Sequence, residues 1–379
     1  MNSVKILITG DFCPINRVES LALEKKFSKV LNDYLDVFQG NDLNIVDLEC
    51  PLTLTSEKRT KYGPHQKAHP EGIGILQFAN VNLVVMANNH IMDFGSRGAM
   101  DTIDLCKAKG INTIGIGRDI EEAAKPYSAT INSRRIAVLN YADEEFITAP
   151  DGLVTCNPVN PVRMFYDIQQ AKAENERIII IVHGGNEHYR LPSPRIKALY
   201  RYLVDIGADV VVAHHTHVHS GYELYNGKPI FYGLGNFIYD LPDNNDLKWH
   251  MGFSVKLEFS DKIYFEIIPL IQGSNYPGVF HLSNAQRSEF FKNIEELNHI
   301  IEDNDLLEAE FVKHCRDTYP MYEAFIEPRL GRVMTQMRRL GFFPKLVSRR
   351  KRLLLLNLIR CESHREVLVR LLKKAESEN

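Results

Sequence analysis

The chain is poor in the cysteine patterns that stabilise small secreted folds. None of its six cysteines forms a Cys-x-x-Cys pair, and all are far apart in a sequence of 379 residues. Such spacing argues against a zinc knuckle and against a disulfide framework. We therefore expect reduced thiols at Cys13, Cys50, Cys106, Cys156, Cys315 and Cys361.

Long apolar runs and an excess of charge are also missing. No uninterrupted run approaches the roughly 20 residues that span a bilayer, and the longest, residues 353–359, contains Asn357. The start, Met-Asn-Ser, leads into an apolar run at Val4 without the regions of a secretory signal, so we expect a cytoplasmic protein. A net charge of -3 gives no overall attraction to nucleic acid, and we expect no such partner.

Five short, largely apolar runs each lead to a residue type that binds metals. Short β-branched runs bounded by polar residues predict buried strands, and ligands collect where the strands of such sheets end. The donors are therefore expected to converge on one edge. The runs are 4–9 before Asp11, 43–48 before Glu49, 83–87 before Asn89 and His90, 178–182 before His183, and 210–213 before His214, His215 and His217.

Strand-like and helix-like runs alternate as far as about residue 270, which predicts an α/β layer structure. Helices are expected at 20–38, 72–79 and 97–109, and an antiparallel pair at 252–259 and 263–268. Beyond residue 275 the strand pattern disappears. We therefore predict a domain over 1–275 and a helical region over 276–379, with helices at 284–303, 306–318, 322–339 and 346–375.

Two divalent ions need carboxylate, imidazole and amide ligands with one bridging oxygen. Asp11, Glu49, Asn89, His183, His215 and His217 offer this inventory. A lone histidine at a strand end is more often structural than a ligand, but core packing gives no reason for donor types at five strand ends. His214 is interpreted as a packing or supporting residue.

Several multi-residue motifs resemble the CapA family, which is linked to capsule and poly-γ-glutamate synthesis and related to calcineurin-like metallophosphatases. The resemblance covers about residues 4–270. It rests on Gly10-Asp11, Asp47-Leu48-Glu49-Cys50-Pro51-Leu52, Ala87-Asn88-Asn89-His90-Ile91-Met92-Asp93-Phe94-Gly95, His183-Gly184-Gly185-Asn186-Glu187-His188-Tyr189, His214-His215-Thr216-His217-Val218 and Phe231-Tyr232-Gly233-Leu234-Gly235-Asn236-Phe237-Ile238.

The resemblance implies a four-layer α-β-β-α sandwich with a dinuclear site for Mn, Zn or Fe, followed here by the helical region. It implies that Asp11 and His217 bind one ion, that Asn89, His183 and His215 bind the other, and that Glu49 bridges them. His90 would protonate a leaving group, with Asp93 orienting it.

Three residues depart from the pattern that the resemblance implies. Metallophosphatases usually have a histidine at the place of Cys13 and an aspartate at that of Glu49, and CapA-like chains often have tryptophan where this one has Gly184. A buried thiol explains Cys13 better than a thiolate ligand. The glycine predicts an altered substrate wall.

Metal-assisted hydrolysis or group transfer is the predicted chemistry, with a phosphoester or an amide in an anionic polymer as substrate. A non-catalytic component of a polymer synthesis or export complex is the alternative. Arg59 and Lys67 belong to a basic loop that either holds anionic groups or is simply solvated, while Glu187 and Asn236 are further pocket candidates. Residues 345–374 carry ten Lys or Arg with interleaved leucines, so they either contact a membrane or a synthesis complex, or form an ordinary solvated helix.

Overall fold

The computed structural model describes residues 3–326, 337 and 348–374. In chain order the strands are β1 Val4–Cys13, β2 Leu43–Leu48, β3 Leu83–Val85, β4 Asn112–Ile114, β5 Ile116–Gly117, β6 Tyr127–Ile131, β7 Arg134–Ala142, β8 Thr155–Cys156, β9 Arg177–His183, β10 Val210–His214, β11 Tyr222–Tyr225, β12 Lys228–Phe231, β13 Asn236–Tyr239, β14 Met251–Phe259, β15 Ile263–Gln272 and β16 Val279–His281. The α-helices are α1 Arg17–Leu23, α2 Phe27–Leu31, α3 Ile73–Phe78, α4 Gly95–Ala108, α5 Ile120–Ala123, α6 Pro161–Glu174, α7 Pro194–Asp205, α8 Leu247–His250, α9 Asn284–Glu302, α10 Asn304–Ile326, α11 Arg349–Arg360 and α12 Glu362–Lys374.

Two large sheets organise the chain. The first has the order β16-β15-β14-β1-β2-β3-β4, and β13 pairs with β1. Its β1, β2, β3 and β4 run parallel, whereas β14 and β15 are antiparallel, as predicted for that pair. The second sheet has the order β11-β12-β10-β9-β7-β6 with a parallel centre of β7, β9, β10 and β12. Parallel neighbours place their carboxyl ends at one edge, which is where the donors were predicted.

Three apolar cores define four layers. One core lies between the sheets, because side chains of β1 and β2 pack there with those of β7 and β9. A second core covers the other face of the first sheet with α1, α2, α3 and α4. The third covers the other face of the second sheet with α6, α7 and α9. The predicted four-layer α-β-β-α sandwich is thereby confirmed.

An amide side chain links the two sheets beneath the donor edge. Asn140 of β7 accepts a hydrogen bond from the Ala87 amide after β3 at 2.7 Å and donates to the Ile181 carbonyl of β9 at 3.2 Å. Gly115 makes room for it, since a Cβ there would lie 2.0 Å from Asn140 Oδ1, and its φ of +85° also favours glycine.

The helix predicted over 20–38 is wrong as a single element. The structure has α1, α2 and a 3-10 helix, Asn32–Phe38, because Lys25 and Asn32 adopt left-handed backbone conformations that end α1 and α2. The helix predicted over 346–375 is likewise divided within its described part into α11 and α12, at Cys361. Helix α10 continues through Pro320. Most of the helix predicted over 322–339 lies outside the described residues.

The chain divides into two compact units. The first comprises Met1–Arg59 and His65–Glu308, and the second Thr60–Pro64 and Ala309–Asn379. The first unit thus extends beyond the predicted boundary at residue 275, since β16 pairs with β15 and α9 buries Phe290 and Ile301 in its cores.

Among the described helices, none combines the length and hydrophobicity needed to cross a membrane.

Candidate metal centre

The predicted donors meet at the carboxyl edge of both sheets. The first sheet supplies Asp11 near the end of β1, Glu49 directly after β2, and Asn89 in the turn after β3. The second sheet supplies His183 as the last residue of β9, and the turn after β10 supplies the remaining imidazoles. Carboxylate and amide donors therefore come from one sheet and imidazole donors from the other. All six predicted ligands are buried, with at most 5% of the surface of any of them exposed.

Two groups of side chains that could each hold an ion share Glu49. Asp11, Glu49 and His217 form one, and Glu49, His183 and His215 form the other; in each, one potential ligand atom per residue lies within 4.8 Å of the others. Asn89 Oδ1 lies 3.1 Å from His183 Nε2, beside the second group. The structure thus brings the six predicted ligands together in two neighbouring groups that share Glu49, and their binding of two ions stays a prediction.

The polar atoms in these groups fit a cation better than they fit one another. Both carboxylate oxygens of Glu49 are buried and have no hydrogen-bond partner among the described residues. His183 Nε2 and His215 Nδ1 face each other at 3.2 Å. Two nitrogens bound to one tetrahedral ion at about 2.1 Å are separated by roughly 3.4 Å, so this pair has a suitable spacing. Without a cation, the buried Glu49 carboxylate would be energetically costly.

The ionisable groups at this edge have pKa values that are shifted in different directions. Burial, together with Asp11 and Asp47, raises the pKa of the Glu49 carboxyl well above its ordinary value. Burial also opposes ionisation of Asp11, but hydrogen bonds with His214 and His217 outweigh it and lower the pKa of that carboxyl. Burial and the neighbouring His215 lower the pKa of His183. A neutral imidazole is the form that binds a metal.

Two supporting residues orient the donors. His183 Nδ1 lies 2.8 Å from Asp47 Oδ2, so an Nδ1–H donated to this carboxylate leaves Nε2 facing the centre. His214 Nδ1 lies 2.9 Å from Asp11 Oδ1, which is the kind of supporting position considered for His214. No role was predicted for Asp47 from the sequence. Its position two residues before Glu49 was a usable signal, because residues i and i+2 of a strand share a face.

The turn after β10 sends its two outer histidines in different directions. His215 and His217 both have left-handed backbone conformations, with φ of 88° and 58°, which are uncommon for non-glycine residues and concentrate at functional sites. His215 faces His183, whereas His217 Nε2 lies 3.5 Å from Glu49 Oε1. Asn236 Oδ1 lies 3.0 Å from His217 Nδ1, so it can accept that proton. Asn236 therefore orients the imidazole of His217, in addition to the pocket-lining role considered for it from the sequence.

His90, the predicted proton donor, pairs with Asp93. His90 Nδ1 lies 2.7 Å from Asp93 Oδ2, and the Gln66 amide donates to the same oxygen at 2.8 Å. Asn88 Oδ1 accepts from the amides of His90 and Ile91, which fixes the turn. His90 follows the donor Asn89 directly, so its ring belongs to the same edge.

The basic loop folds against the turn that carries His90. The Arg59 amide donates to the Asp93 carbonyl at 3.0 Å, and the Arg59 guanidinium contacts the Phe146 carbonyl and ring. Lys67 Nζ donates to the Thr55 carbonyl at 2.6 Å and lies over the Phe94 ring. Both cations are thus engaged with the protein while remaining partly exposed.

The Glu187 residue is exposed over part of its surface, but its carboxyl is enclosed beside the imidazoles of the centre. Desolvation by its surroundings raises the pKa of its carboxyl, but the imidazoles of His215, His217 and His90 outweigh that effect and lower it to about 2. Glu187 is therefore an anion among imidazoles.

The departures at Cys13 and Gly184 have structural explanations. Burial and the adjacent Cys50 and Glu49 raise the pKa of the Cys13 thiol well above its ordinary value, so the thiol stays protonated in this environment. A Cβ at Gly184 would lie 2.8 Å from the Asp143 carboxyl. Asp143, which accepts from the Gly185 amide at 3.2 Å, thus occupies the space that a larger residue at 184 would need.

Comparisons with known proteins agree with the motifs. The family model described as bacterial capsule synthesis protein PGA_cap matches residues 5–241. The PGA biosynthesis protein CapA of Bacillus subtilis (strain 168) is 29% identical over 235 residues, 61% of this chain and 62% of that protein. The capsule biosynthesis protein CapA of Bacillus anthracis is 30% identical over 242 residues, 62% of this chain and 59% of that protein.

Solved structures with similarity to the chain include 5′-nucleotidases. A putative 5′-nucleotidase from Staphylococcus aureus is 12% identical with a TM-score of 0.43, and the match covers 78% of this chain and 58% of that one. The 5′-nucleotidase of Candida albicans SC5314 is 12% identical with a TM-score of 0.42, and the match covers 83% and 57%.

The chain spans about three fifths of the length of the two Bacillus relatives. The family model, by contrast, covers well over half of the chain and includes every donor described above. The chain therefore belongs to the family of bacterial capsule synthesis proteins described as PGA_cap.

Proposed function

We propose that the protein is a metal-dependent hydrolase or transferase that acts on a phosphoester or an anionic polymer during synthesis of capsule, poly-γ-glutamate or another surface polymer. The names of the Bacillus relatives support the biological setting. The chemistry of the donor edge supports the reaction class. Phosphoesters and polycarboxylates are both anionic, so either suits a site that holds divalent cations.

The observation that carries the proposal is the position of Glu49. It is 0% exposed, belongs to both donor groups, and has two oxygens without hydrogen-bond partners among the described residues. A carboxylate that belongs to both groups could serve two cations at once. Bound divalent ions of the Mn, Zn or Fe type would supply Lewis acidity and a nucleophile available near neutral pH.

The chain's own contribution to the reaction centres on His90. With Nδ1–H donated to Asp93, the ring is held in one orientation, and Nε2 is the nitrogen proposed to give a proton to the departing group. Asp93 is itself fixed by the Gln66 amide. Asp93 is thus a positioning residue, whereas His90 is the proposed catalytic acid.

The test loads the purified protein with Mn²⁺, Zn²⁺ or Fe²⁺ and measures cleavage of a model phosphodiester and of a glutamyl polymer. His90→Ala should lower kcat by about 10²- to 10⁴-fold, the usual contribution of a general acid. Asn89→Ala should lower metal content as well. His299→Ala, at an exposed position in α9, serves as the matched control and should leave both unchanged.

Equal rates for the parent protein and both site variants would instead favour a non-catalytic, polymer-binding component of a synthesis complex. The protonated Cys13 thiol gives this alternative its support, because metallophosphatases usually have a histidine ligand there. Elemental analysis and an anomalous diffraction map would show how many ions are bound and by which residues.

Arg59 and Lys67 are proposed to hold anionic groups of the substrate beside His90. Replacing both with Ala should raise KM while leaving kcat within a few-fold, because the cations bind substrate without taking part in bond cleavage. Lys58→Ala, an exposed cation of the same loop, is the control. Unchanged kinetics in the double variant would mean that the two cations only fasten the loop.

A further inference from the structure

Helices α11 and α12 of the second unit repeat one arrangement of side chains at an offset of thirteen residues. Leu354 and Leu358 are buried in α11, and at the matching positions of α12 Val367 and Leu371 are buried. These pairs are four residues apart, so each lies on one face of its helix. Each helix therefore has one buried face that carries such a pair, called here the inner face, and the opposite side is its outer face.

The outer faces are also equivalent, and they are apolar where solvent-facing helices are usually polar. Leu356 and Ile359 of α11 are 43% and 61% exposed, and Val369 and Leu372 of α12 are 44% and 54% exposed. The second pair follows the first by thirteen residues. Single exposed apolar residues are ordinary. Two exposed apolar pairs at equivalent positions of consecutive helices are a repeated pattern that calls for an explanation.

Basic residues accompany both outer faces. Arg352 precedes Leu356 by one helical turn, and Arg365 precedes Val369 in the same way; both arginines are exposed. Within α11 and α12 the sequence has nine Lys or Arg against two Glu. The combination of exposed aliphatic side chains with a strong positive charge is typical of helices that lie on a membrane surface.

We propose that the outer faces of α11 and α12 dock on an anionic lipid surface. Arg352 and Arg365 would contact the headgroups, and Leu356, Ile359, Val369 and Leu372 would enter the boundary of the acyl chains. Charge alone would suit an acidic polymer equally well, but a polymer gives no reason for four exposed aliphatic side chains. A second copy of the chain is disfavoured, because two such basic faces repel each other.

The test is vesicle co-sedimentation of the full chain. It should bind vesicles of phosphatidylcholine mixed with phosphatidylglycerol, bind phosphatidylcholine alone weakly, and lose affinity as salt rises. The double variant Ile359→Ser/Leu372→Ser should bind about tenfold or more weakly, since two aliphatic side chains no longer leave water. Arg352→Gln/Arg365→Gln should weaken binding to the mixed vesicles by about tenfold.

Matched controls separate docking from general changes in surface chemistry. Val162→Ser/Leu224→Ser removes two apolar side chains that are 69% and 60% exposed in the first unit, and Arg118→Gln/Lys125→Gln removes two exposed charges there. Both should bind as the parent does. All variants alter exposed positions, and circular dichroism melts verify that they remain folded.

Three results would overturn the proposal. The first is the absence of binding to the mixed vesicles at low ionic strength. The second is binding that survives the serine changes, disappears with the glutamine changes and is displaced by soluble polyglutamate, which would identify an acidic polymer as the partner. The third is self-association in solution that the serine changes abolish.

Discussion

At the scale of single residues, Glu49 is a buried carboxylate whose position the packing of the fold does not explain. Glu49 is buried among other acids, and its raised pKa reflects that unfavourable position. Glu223 is a useful contrast, because it is also buried but receives hydrogen bonds from Arg201 at 2.6 and 2.9 Å and from the Tyr232 hydroxyl at 2.6 Å. The carboxylate of Glu223 is satisfied by the protein, whereas that of Glu49 has no hydrogen-bond partner among the described residues.

Glu49→Gln should separate stability from metal binding. Without metal the variant should be as stable as the parent or more stable by about 1–3 kcal/mol, because a costly buried charge is removed. With saturating Mn²⁺ the parent should gain stability, by about 2.7 kcal/mol at a hundredfold excess over Kd, and the variant should gain much less. Thermal melts in chelator and in metal measure both quantities.

Glu223→Gln is the control for that experiment, since it should destabilise the protein equally with and without metal. A metal-dependent gain as large in Glu49→Gln as in the parent would argue against Glu49 as a ligand.

Glu223 also predicts a dependence of stability on pH. Burial by itself raises the pKa of this carboxyl, but the hydrogen bonds from Arg201 and Tyr232 outweigh it and hold the pKa below its ordinary value. A lowered folded-state pKa stabilises the protein above the unfolded pKa of about 4.3, and the benefit is lost as pH falls through the folded pKa. The parent and Glu223→Gln should therefore differ most in their free energy of unfolding near neutral pH. This difference should become smaller below about pH 4.3.

Urea unfolding across this pH range measures this difference. Glu266→Gln, at an exposed position of β15, should show little difference at any pH. If the difference in free energy of unfolding between the parent and Glu223→Gln did not change with pH, the charge of Glu223 would not stabilise the fold.

At the scale of elements, strand ends position the donors and Asn140 ties them together across the sheets. Asn140→Ala would leave the buried Ala87 amide without its acceptor, which should cost about 1–3 kcal/mol. Ala87 lies two residues before Asn89, so we also expect weaker metal binding. Denaturant unfolding and metal titration check the two effects. The control is Asn175→Ala, which removes a hydrogen bond to Ala171 at the end of α6. It should reduce both the stability and the metal affinity less than Asn140→Ala does.

The strands of the centre could be predicted from sequence because each is a short apolar run with a polar residue after it. Their predicted limits differ from the observed ones by only a few residues, and the donors that follow them do meet. The orientations of His183 and Asp11 could not be predicted, because the Asp47 and His214 side chains that fix them come from other strands. Such pairing depends on sheet order, which periodicity does not specify.

Among the helices longer than four residues, α6 and α7 were absent from the sequence prediction. In α6 the buried Met164, Ile168 and Ala171 have helical spacing, but exposed Phe165 and Tyr166 obscure the pattern. Helix α7 did carry a readable start, Ser193 followed by Pro194, and the structure confirms that Ser193 caps it. Helix α6 carried the same kind of start, Asn160 followed by Pro161, so an available signal was unused in both cases.

At the scale of the whole molecule, the end of the first unit matters for any shortened version of the protein. A chain ending at residue 275 would lack α9, whose Phe290, Ile294, Leu297 and Ile301 are buried. Burying one such side chain contributes about 1.5–3 kcal/mol, so four together approach the total stability of an ordinary domain, about 5–15 kcal/mol. We expect the chain ending at 275 to lose cooperative unfolding and metal binding.

A chain ending at Glu308 should retain both properties, as judged by calorimetry and metal content. If the shorter chain unfolded as cooperatively as the longer one, α9 would be an accessory to the first unit, and the boundary predicted at residue 275 would be the better one.

The division of donors between the sheets has a further consequence. Since carboxylates come from one sheet and imidazoles from the other, a bound cation would add a cross-link between two layers that loops, side-chain packing and a few hydrogen bonds such as that of Asn140 already join. Loading the protein should then slow amide hydrogen exchange in β2 and β9 together, although they belong to different sheets. The spacing of the layers, set by the aliphatic residues between them, becomes a determinant of which ion fits.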